Sequence, residues 1–204
     1  MNPSLSLVAA IAENGVIGLR GGMPWRLSTD MRRFRALTIG KAVIMGGVTF
    51  RGLKAPLAQR LNVVVTRSGL PSSGLVVSVD SLDAAFAAIR APGTGFPPDE
   101  AMVIGGAAIY RDTIALADRL HITHVDARPD GDTFFPRIDP TAWRPVQREE
   151  VPAGPKDDFA TTYIVYERRE PPLAVDGGGR DPQFWRDGDV GELLAEAAEL
   201  RRPA

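Results

Sequence analysis

Leu5 to Ala12 (Leu-Ser-Leu-Val-Ala-Ala-Ile-Ala) is an almost unbroken apolar run of strand length, and it constrains the fold more than any other stretch. A strand with no polar alternation must be covered on both faces, the condition of a central strand in a largely parallel sheet. The pattern returns at Lys41 to Met45, Leu61 to Thr66, Leu75 to Val79 and Ala101 to Ile104. Helical stretches separate these runs. One begins near Thr29, where Ser28 or Thr29 caps its first turn, and runs to Thr38. A short one capped by Thr49 reaches Leu53, Leu82 to Arg90 follows the cap Ser81, and another spans Ile109 to about Ala117. Arg119 to Asp126 alternates apolar and polar residues. Trp143 to Glu150 and Ala160 to Glu167, separated by Pro152-Ala153-Gly154-Pro155, read as an antiparallel pair. The expected architecture is α/β: a mostly parallel central sheet of about eight strands with an antiparallel C-terminal edge hairpin, and helices on both faces.

The chain of 204 residues accommodates one domain, residues 1–170, with an appendage over 171–204. In that appendage Pro171-Pro172 and Gly177-Gly178-Gly179 read as a flexible linker. Asp189 to Arg202 places Val190, Leu193, Leu194, Ala197 and Leu200 at helical spacing before Pro203. That pattern fits a short amphipathic helix docked on the main domain or on a second copy, or a frayed tail. The net charge of −1 offers no field for nucleic acid or an anionic membrane. There is no cysteine for a disulfide or thiolate site, and the two histidines, His121 and His124, have no companions for a metal site or a nucleophilic triad. No apolar run approaches membrane-spanning length and no leader is evident, so the expected location is cytoplasmic.

Four segments carry chemistry. Val16 to Gly22 holds Gly18, Gly21 and Gly22 and reads as a mobile loop leading to Met23-Pro24-Trp25. On the helix that follows, Leu27, Met31 and Phe34 share an apolar face, with Asp30 at its edge. Asp30 either complements the helix dipole in solvent or sits at a pocket floor, gripping a flat ligand with paired N–H donors. Strand, glycine pair and helix succeed one another twice, at Gly46-Gly47 and at Gly105-Gly106, and each such turn suits a phosphate.

Val8-Ala9-Ala10, Gly18, Met23-Pro24-Trp25, Asp30 with Phe34, Val43-Ile44-Met45-Gly46, Arg60-Leu61-Asn62, Val103-Ile104-Gly105-Gly106 with Tyr110, Leu120-His121-Ile122-Thr123-His124 and Gly131-Asp132-Thr133 together resemble the dihydrofolate reductase family, from about Leu5 to Arg168. The resemblance implies NADPH-dependent reduction of dihydrofolate, with hydride transfer to C6 and protonation of N5, and no metal. It implies that Asp30 accepts hydrogen bonds from the pterin 2-amino group and N3–H, that Thr123 steadies it, and that Trp25 holds a water. Val8, Ala9, Met31, Phe34, Leu53, Leu57, Ile104 and Tyr110 would close on the pterin and benzoyl rings, and Arg60 would pair the glutamyl α-carboxylate. On the cofactor side it implies Ala10, Ile17, Gly18, Met23, Gly46, Gly47, Thr49, Thr66, Arg67, Gly105, Gly106, Ala107 and Tyr110, with a cis peptide between Gly105 and Gly106. Asp132 would hold the glycine-rich loop closed.

One departure stands out. A basic residue commonly follows the Met-Gly pair in the family and meets the cofactor 2′-phosphate, whereas here Gly47 and then Val48 follow, and Ala108 replaces a common arginine. Arg67 is the expected substitute, and NADPH the expected cofactor. A reductase of the same fold acting on a riboflavin-pathway pyrimidine would share the glycine turns without needing Asp30, Phe34 and Arg60. A non-catalytic pterin- or nucleotide-binding module is another reading, as is a protein whose tail helix drives assembly; the expected state is a monomer, with a tail-mediated dimer as the alternative.

Overall fold

The computed structural model describes residues 3–169 and 189–200. The linker expected around Pro171-Pro172 and Gly177 to Gly179, and the helix stop at Arg201 to Pro203, lie outside the described residues. In chain order the elements are β1 (Ser4–Ala12), β2 (Val16–Gly18), α1 (Ser28–Thr38), β3 (Ala42–Gly46), α2 (Gly47–Gly52), β4 (Leu61–Val65), β5 (Val76–Val79) and α3 (Leu82–Arg90). Then come β6 (Glu100–Gly105), α4 (Ala107–Thr113), β7 (Arg119–Val125), β8 (Thr133–Phe134), β9 (Trp143–Val151), β10 (Thr161–Arg168) and α5 (Asp189–Ala198).

Eight strands form one sheet in the order β5, β4, β3, β6, β1, β7, β10, β9, and β2 pairs with β8 separately. The apolar runs become parallel strands: β1 pairs with β6, β3 with both β4 and β6, and β4 with β5. β10 is antiparallel to both β7 and β9. β9 and β10 are the expected antiparallel edge hairpin, and it is its second strand, not its first, that lies next to β7.

The described residues pack as two units. One comprises the residues up to Val8 with Met31–Ala117; the other comprises Ala9–Asp30 with the residues from Asp118 onward. In the first, Val8, Val43, Met45, Val64, Val76 and Met102 form a cluster against which Phe34, Leu37, Phe50, Leu53, Leu57, Leu70 and Ile104 pack. In the second, Ala12, Val16, Trp25, Leu27 and Val125 form the cluster, with Ala10, Ala127 and Phe159 at its margin.

Four local expectations change. The glycine-rich segment after β1 is not simply a loop: Val16–Gly18 is strand β2, and Leu19 and Gly22 exchange backbone hydrogen bonds of 2.9 and 3.0 Å across a tight turn with Gly21 at φ +81°. Thr49 is not a cap. Gly46 occupies that position without a side-chain bond, and Thr49 lies within the first turn of α2. α4 starts at Ala107 and ends at Thr113, whose hydroxyl donates to the Ile109 carbonyl at 2.6 Å, after which the chain tightens into a Leu116 N–H to Thr113 carbonyl turn. α5 ends at Ala198 and packs on β9 of its own chain, burying Leu193 and Ala197, while Arg169 donates to Glu196. The Ser81 cap of α3 is as read, its hydroxyl accepting from the Ala84 N–H.

Candidate active site

In the second unit the first turn of α1 presents Asp30. The Thr123 hydroxyl, buried on β7, donates to Asp30 Oδ1 at 2.6 Å. Two residues before α1, Trp25 and Leu27 flank the charged Arg26; both are buried in the apolar cluster, which anchors the approach to the helix. Distant acids then fix the helix start. Asp157, in the β9–β10 connection, accepts from the Thr29 N–H at 2.9 Å and the Thr29 hydroxyl at 2.7 Å. Asp158 accepts from the Arg26 N–H at 2.7 Å and returns its own N–H to the Arg26 carbonyl at 2.9 Å. The Thr29 hydroxyl, followed by its N–H, holds the Asp157 carboxyl below the ordinary carboxylate range. The first turn, expected to be capped by Ser28 or Thr29, thus draws on a carboxylate from a remote hairpin; nothing local to α1 signals it.

The loop ahead of this helix has its own acid. Asp132 accepts from the Arg20 N–H at 2.8 Å and from the Thr133 hydroxyl at 2.8 Å, and its N–H donates to the Gly18 carbonyl at 3.1 Å. These bonds, the Arg20 N–H first, depress its pKa. Ile17 is half-buried on β2 and Met23 is exposed. A Cβ on Gly131 would collide with the Val16 methyls, and one on Gly18 would crowd Thr133 Cβ at 3.2 Å. Ala9 and Ala10 lie half-buried on β1.

In the first unit, Val8, Phe34, Leu53, Leu57 and Ile104 meet in the apolar cluster. Met31, expected on the apolar stripe of α1, is 48% exposed. Arg60 is buried without an acid: Nε donates to Thr38 Oγ1 at 2.8 Å, Nη1 to the Ala58 carbonyl at 2.7 Å and Nη2 to the Arg35 carbonyl at 3.3 Å. Burial, then the neighbouring Arg35 charge, lowers its pKa. Asn62 shapes the approach to it, exchanging bonds of 2.9 Å with both the N–H and the carbonyl of Leu57.

The two glycine turns also lie in this unit. The Gly105–Gly106 peptide is cis, with Gly105 at φ +122°. A Cβ on Gly106 would lie 3.0 Å from Thr49 Oγ1, and one on Gly46 3.3 Å from Ile109 Cγ1. Bare backbone here leaves close approach to a flat dinucleotide, with the Thr49 hydroxyl alongside, so the residues fit such a group. Tyr110, buried on α4 near Ala107, gives its hydroxyl to the Val8 carbonyl at 2.6 Å, leaving its ring against Gly105. Gly47 is buried, and Thr66 and Arg67 follow β4.

Among the described residues no group of three or more His, Asp or Glu side chains could hold a metal ion. His121 bonds Tyr163 at 2.7 Å, and fully buried His124 bonds Tyr166 at 2.9 Å. Burial drives the His124 pKa down to about 4.

The family model described as Dihydrofolate reductase matches residues 4–168. The chain belongs to the dihydrofolate reductase family. It is 39% identical over 165 residues to dihydrofolate reductase type 3 of Salmonella typhimurium, covering 81% of this chain and 98% of that relative. It is 38% identical over 163 residues to the dihydrofolate reductase of Neisseria gonorrhoeae, covering 79% and 96%. An Enterococcus faecalis dihydrofolate reductase, solved in complex with NADP(H) and RAB-propyl, superposes with a TM-score of 0.72 at 30% identity, over 82% of this chain and 97% of that one. Helix α5 lies beyond the segment that the family match spans.

Proposed function

We propose that this reductase converts 7,8-dihydrofolate to 5,6,7,8-tetrahydrofolate with NADPH, using Asp30 as the carboxylate that grips the pterin. The observation that carries the residue assignment is the 2.6 Å hydrogen bond from Thr123 to Asp30. It orients the carboxylate, a group whose two oxygens are suited to accept a parallel pair of N–H donors, the pattern of a pterin 2-amino group and N3–H. Asp30 raises the proton affinity of the bound ring, Thr123 positions it, and Trp25 holds a water beside it. Bound NADPH supplies a hydride from its nicotinamide; Gly46, Gly105, Gly106 and Thr49 are the residues that would hold it, with Ala10 and Ile17 offering backbone groups. Val8, Phe34, Leu53, Leu57 and Ile104 offer apolar surface to the aromatic rings and keep water from them.

Arg60 supports the folate reading from the substrate tail. A buried guanidinium that donates to the Thr38 hydroxyl and to the Ala58 and Arg35 carbonyls, all neutral oxygens, favours an arriving carboxylate, and the glutamyl α-carboxylate is such a group. Residues 1–170 form the catalytic domain in this reading, with 171–204 an appendage, and the enzyme works as a cytoplasmic monomer that binds no nucleic acid. No helix among the described residues is long and apolar enough to cross a membrane.

The test follows NADPH absorbance with dihydrofolate, with and without a folate-analogue inhibitor. Dihydrofolate-dependent oxidation blocked by the inhibitor is expected. A folded protein that oxidises no NADPH would overturn the activity, and an unaltered rate in Asp30→Asn would overturn the residue assignment.

A further inference from the structure

Strands β7 and β10 carry two histidine–tyrosine pairs of the same spacing, one on each face of the sheet. His124 and Tyr166 lie on one face, 2.9 Å apart and both buried. His121 and Tyr163 lie on the other, with His121 Nδ1 2.7 Å from Tyr163 Oη and the two rings within 18° of parallel. The second pair keeps different company. The antiparallel register sets Tyr163 directly opposite Thr123, and His121 is two residues before Thr123 on the same strand, so all three side chains share one face. That is the face on which the Thr123 hydroxyl donates to Asp30. His121 is half-buried, whereas Thr123 and Tyr163 are buried.

An imidazole in this place acts on the carboxylate through its charge. Same-face neighbours on a strand stand about 7 Å apart, so His121 and Asp30, both reached from Thr123, lie within roughly 7 to 10 Å, a range that physiological salt screens only in part. When the ring takes up a second proton, its Nδ1–H donates to the Tyr163 oxygen, and that bond holds the cation beside the support of Asp30. The other charges around His121 do not substitute for it. Arg119, on the same face of β7, is joined to Glu167 of β10 at 2.8 Å. Glu149 of β9 lies exposed opposite Tyr163, Arg33 stands one turn after Asp30 on α1, and β1, on the other side of β7, has no charged residue. Of these groups only the histidine ordinarily titrates between about pH 5 and 8.

We propose that His121, tethered by Tyr163, is a positioning residue for the reductase: protonated, it keeps Asp30 ionised and so extends to lower pH the range over which the pterin is gripped. This rests on the reading of Asp30 as the pterin carboxylate. Opposite charges at this separation displace each other's titration by roughly half a unit to one unit of pH. The coupling is reciprocal, so the Asp30 carboxylate raises the titration of His121 by the same amount. The His124–Tyr166 pair, buried on the other face, takes no part.

Two measurements on the full chain test this. Proton NMR follows the ring C–H signals of the two histidines from about pH 4 to 8 in the parent and in Asp30→Asn; buried His124, with its pKa at about 4, gives the late-titrating signal. In parallel, kcat/KM for dihydrofolate is measured over the same range in the parent, His121→Gln, Tyr163→Phe and Tyr166→Phe. Asp30→Asn should lower the His121 midpoint by roughly half a unit to one unit, and His121→Gln should move the acid-side fall of kcat/KM upward by a similar amount. Tyr163→Phe, in which the imidazole loses its tether, should move that fall less and in the same direction, and Tyr166→Phe should leave it in place. A midpoint and an acid-side fall both within about 0.2 unit of the parent would overturn the proposal. So would an equal displacement in Tyr166→Phe, because loosening the hairpin by any route would then have the effect. If no dihydrofolate-dependent oxidation occurs at any pH, the reductase reading fails, and the Asp30→Asn titration still decides whether His121 and Asp30 are coupled.

Discussion

The two packing units are built on opposite polarity. Around the start of α1 the group proposed to grip the substrate is a carboxylate, and the protein supplies further carboxylates to fix the backbone: Asp157 and Asp158 take the N–H groups of Thr29 and Arg26, and Asp132 takes that of Arg20. In the other unit the character is cationic and backbone-based: Arg60 buried without an acid, Arg51 and Arg67 in no ion pair among the described residues, and glycines at both strand ends. The difference mirrors the ligands proposed for each. A pterin presents donors and calls for a carboxylate, whereas a glutamate tail and phosphates present acceptors and call for guanidinium groups and bare N–H.

The sharpest way to break this contrast is to neutralise its anionic half. Asp30→Asn keeps the shape and the Thr123 contact but replaces one acceptor with a donor facing the pterin N–H groups. Turnover should fall roughly 10² to 10⁴-fold at saturating NADPH, and a pre-steady-state trace would place the loss in the chemical step. The anionic unit also contains the group that should dominate acid sensitivity. His124 is held neutral with its pKa at about 4, while an unfolded histidine titrates near 6.5. Between those values the unfolded chain binds a proton that the folded chain refuses, so stability is full above about 6.5 and is lost as pH falls toward 4, by up to about 3 kcal/mol. Urea unfolding of the parent and of His124→Gln across that window should show a flatter slope in the variant.

Removing a cation from the other half tests its role in tail recognition. Arg60→Ala should raise KM for dihydrofolate about ten- to hundredfold with a much smaller change in kcat, and a truncated pterin lacking the glutamate should be insensitive to the substitution. An unchanged KM would leave Arg60 as a brace for Thr38, Ala58 and Arg35 only. The smallest effect concerns the remote cap. Asp157→Ala should lower Tm by a few degrees and raise KM for dihydrofolate severalfold, while Asp157→Asn, which still accepts from the Thr29 N–H, should recover most of the stability.

What could be read directly from the chain follows the range of the interaction involved. The parallel strands announce themselves as apolar runs, and the Ser81 cap of α3 is visible because donor and acceptor are three residues apart. The contact between Thr123 and Asp30 spans 93 positions and entered only through family resemblance, since neither residue type in isolation demands the other. Asp157 was missed altogether: its partner is 128 positions away, and an acid in a proline- and glycine-rich connection looks like any turn residue. Strand β2 hid for the same reason, its three residues reading as part of a glycine-rich loop until β8 supplies the partner.

Strand β9 ends the sheet, and its composition bears on how this chain behaves in a crowded cell. Pro145 removes one N–H from the strand, the register with β10 slips at Val165 and Tyr166, and Arg144, Glu149 and Glu150 project charge outward. At the opposite end β5 is only four residues long. A strand from a neighbouring molecule would meet an interrupted ladder on one side and a very short one on the other, so edge-to-edge growth into fibres finds no template at either border.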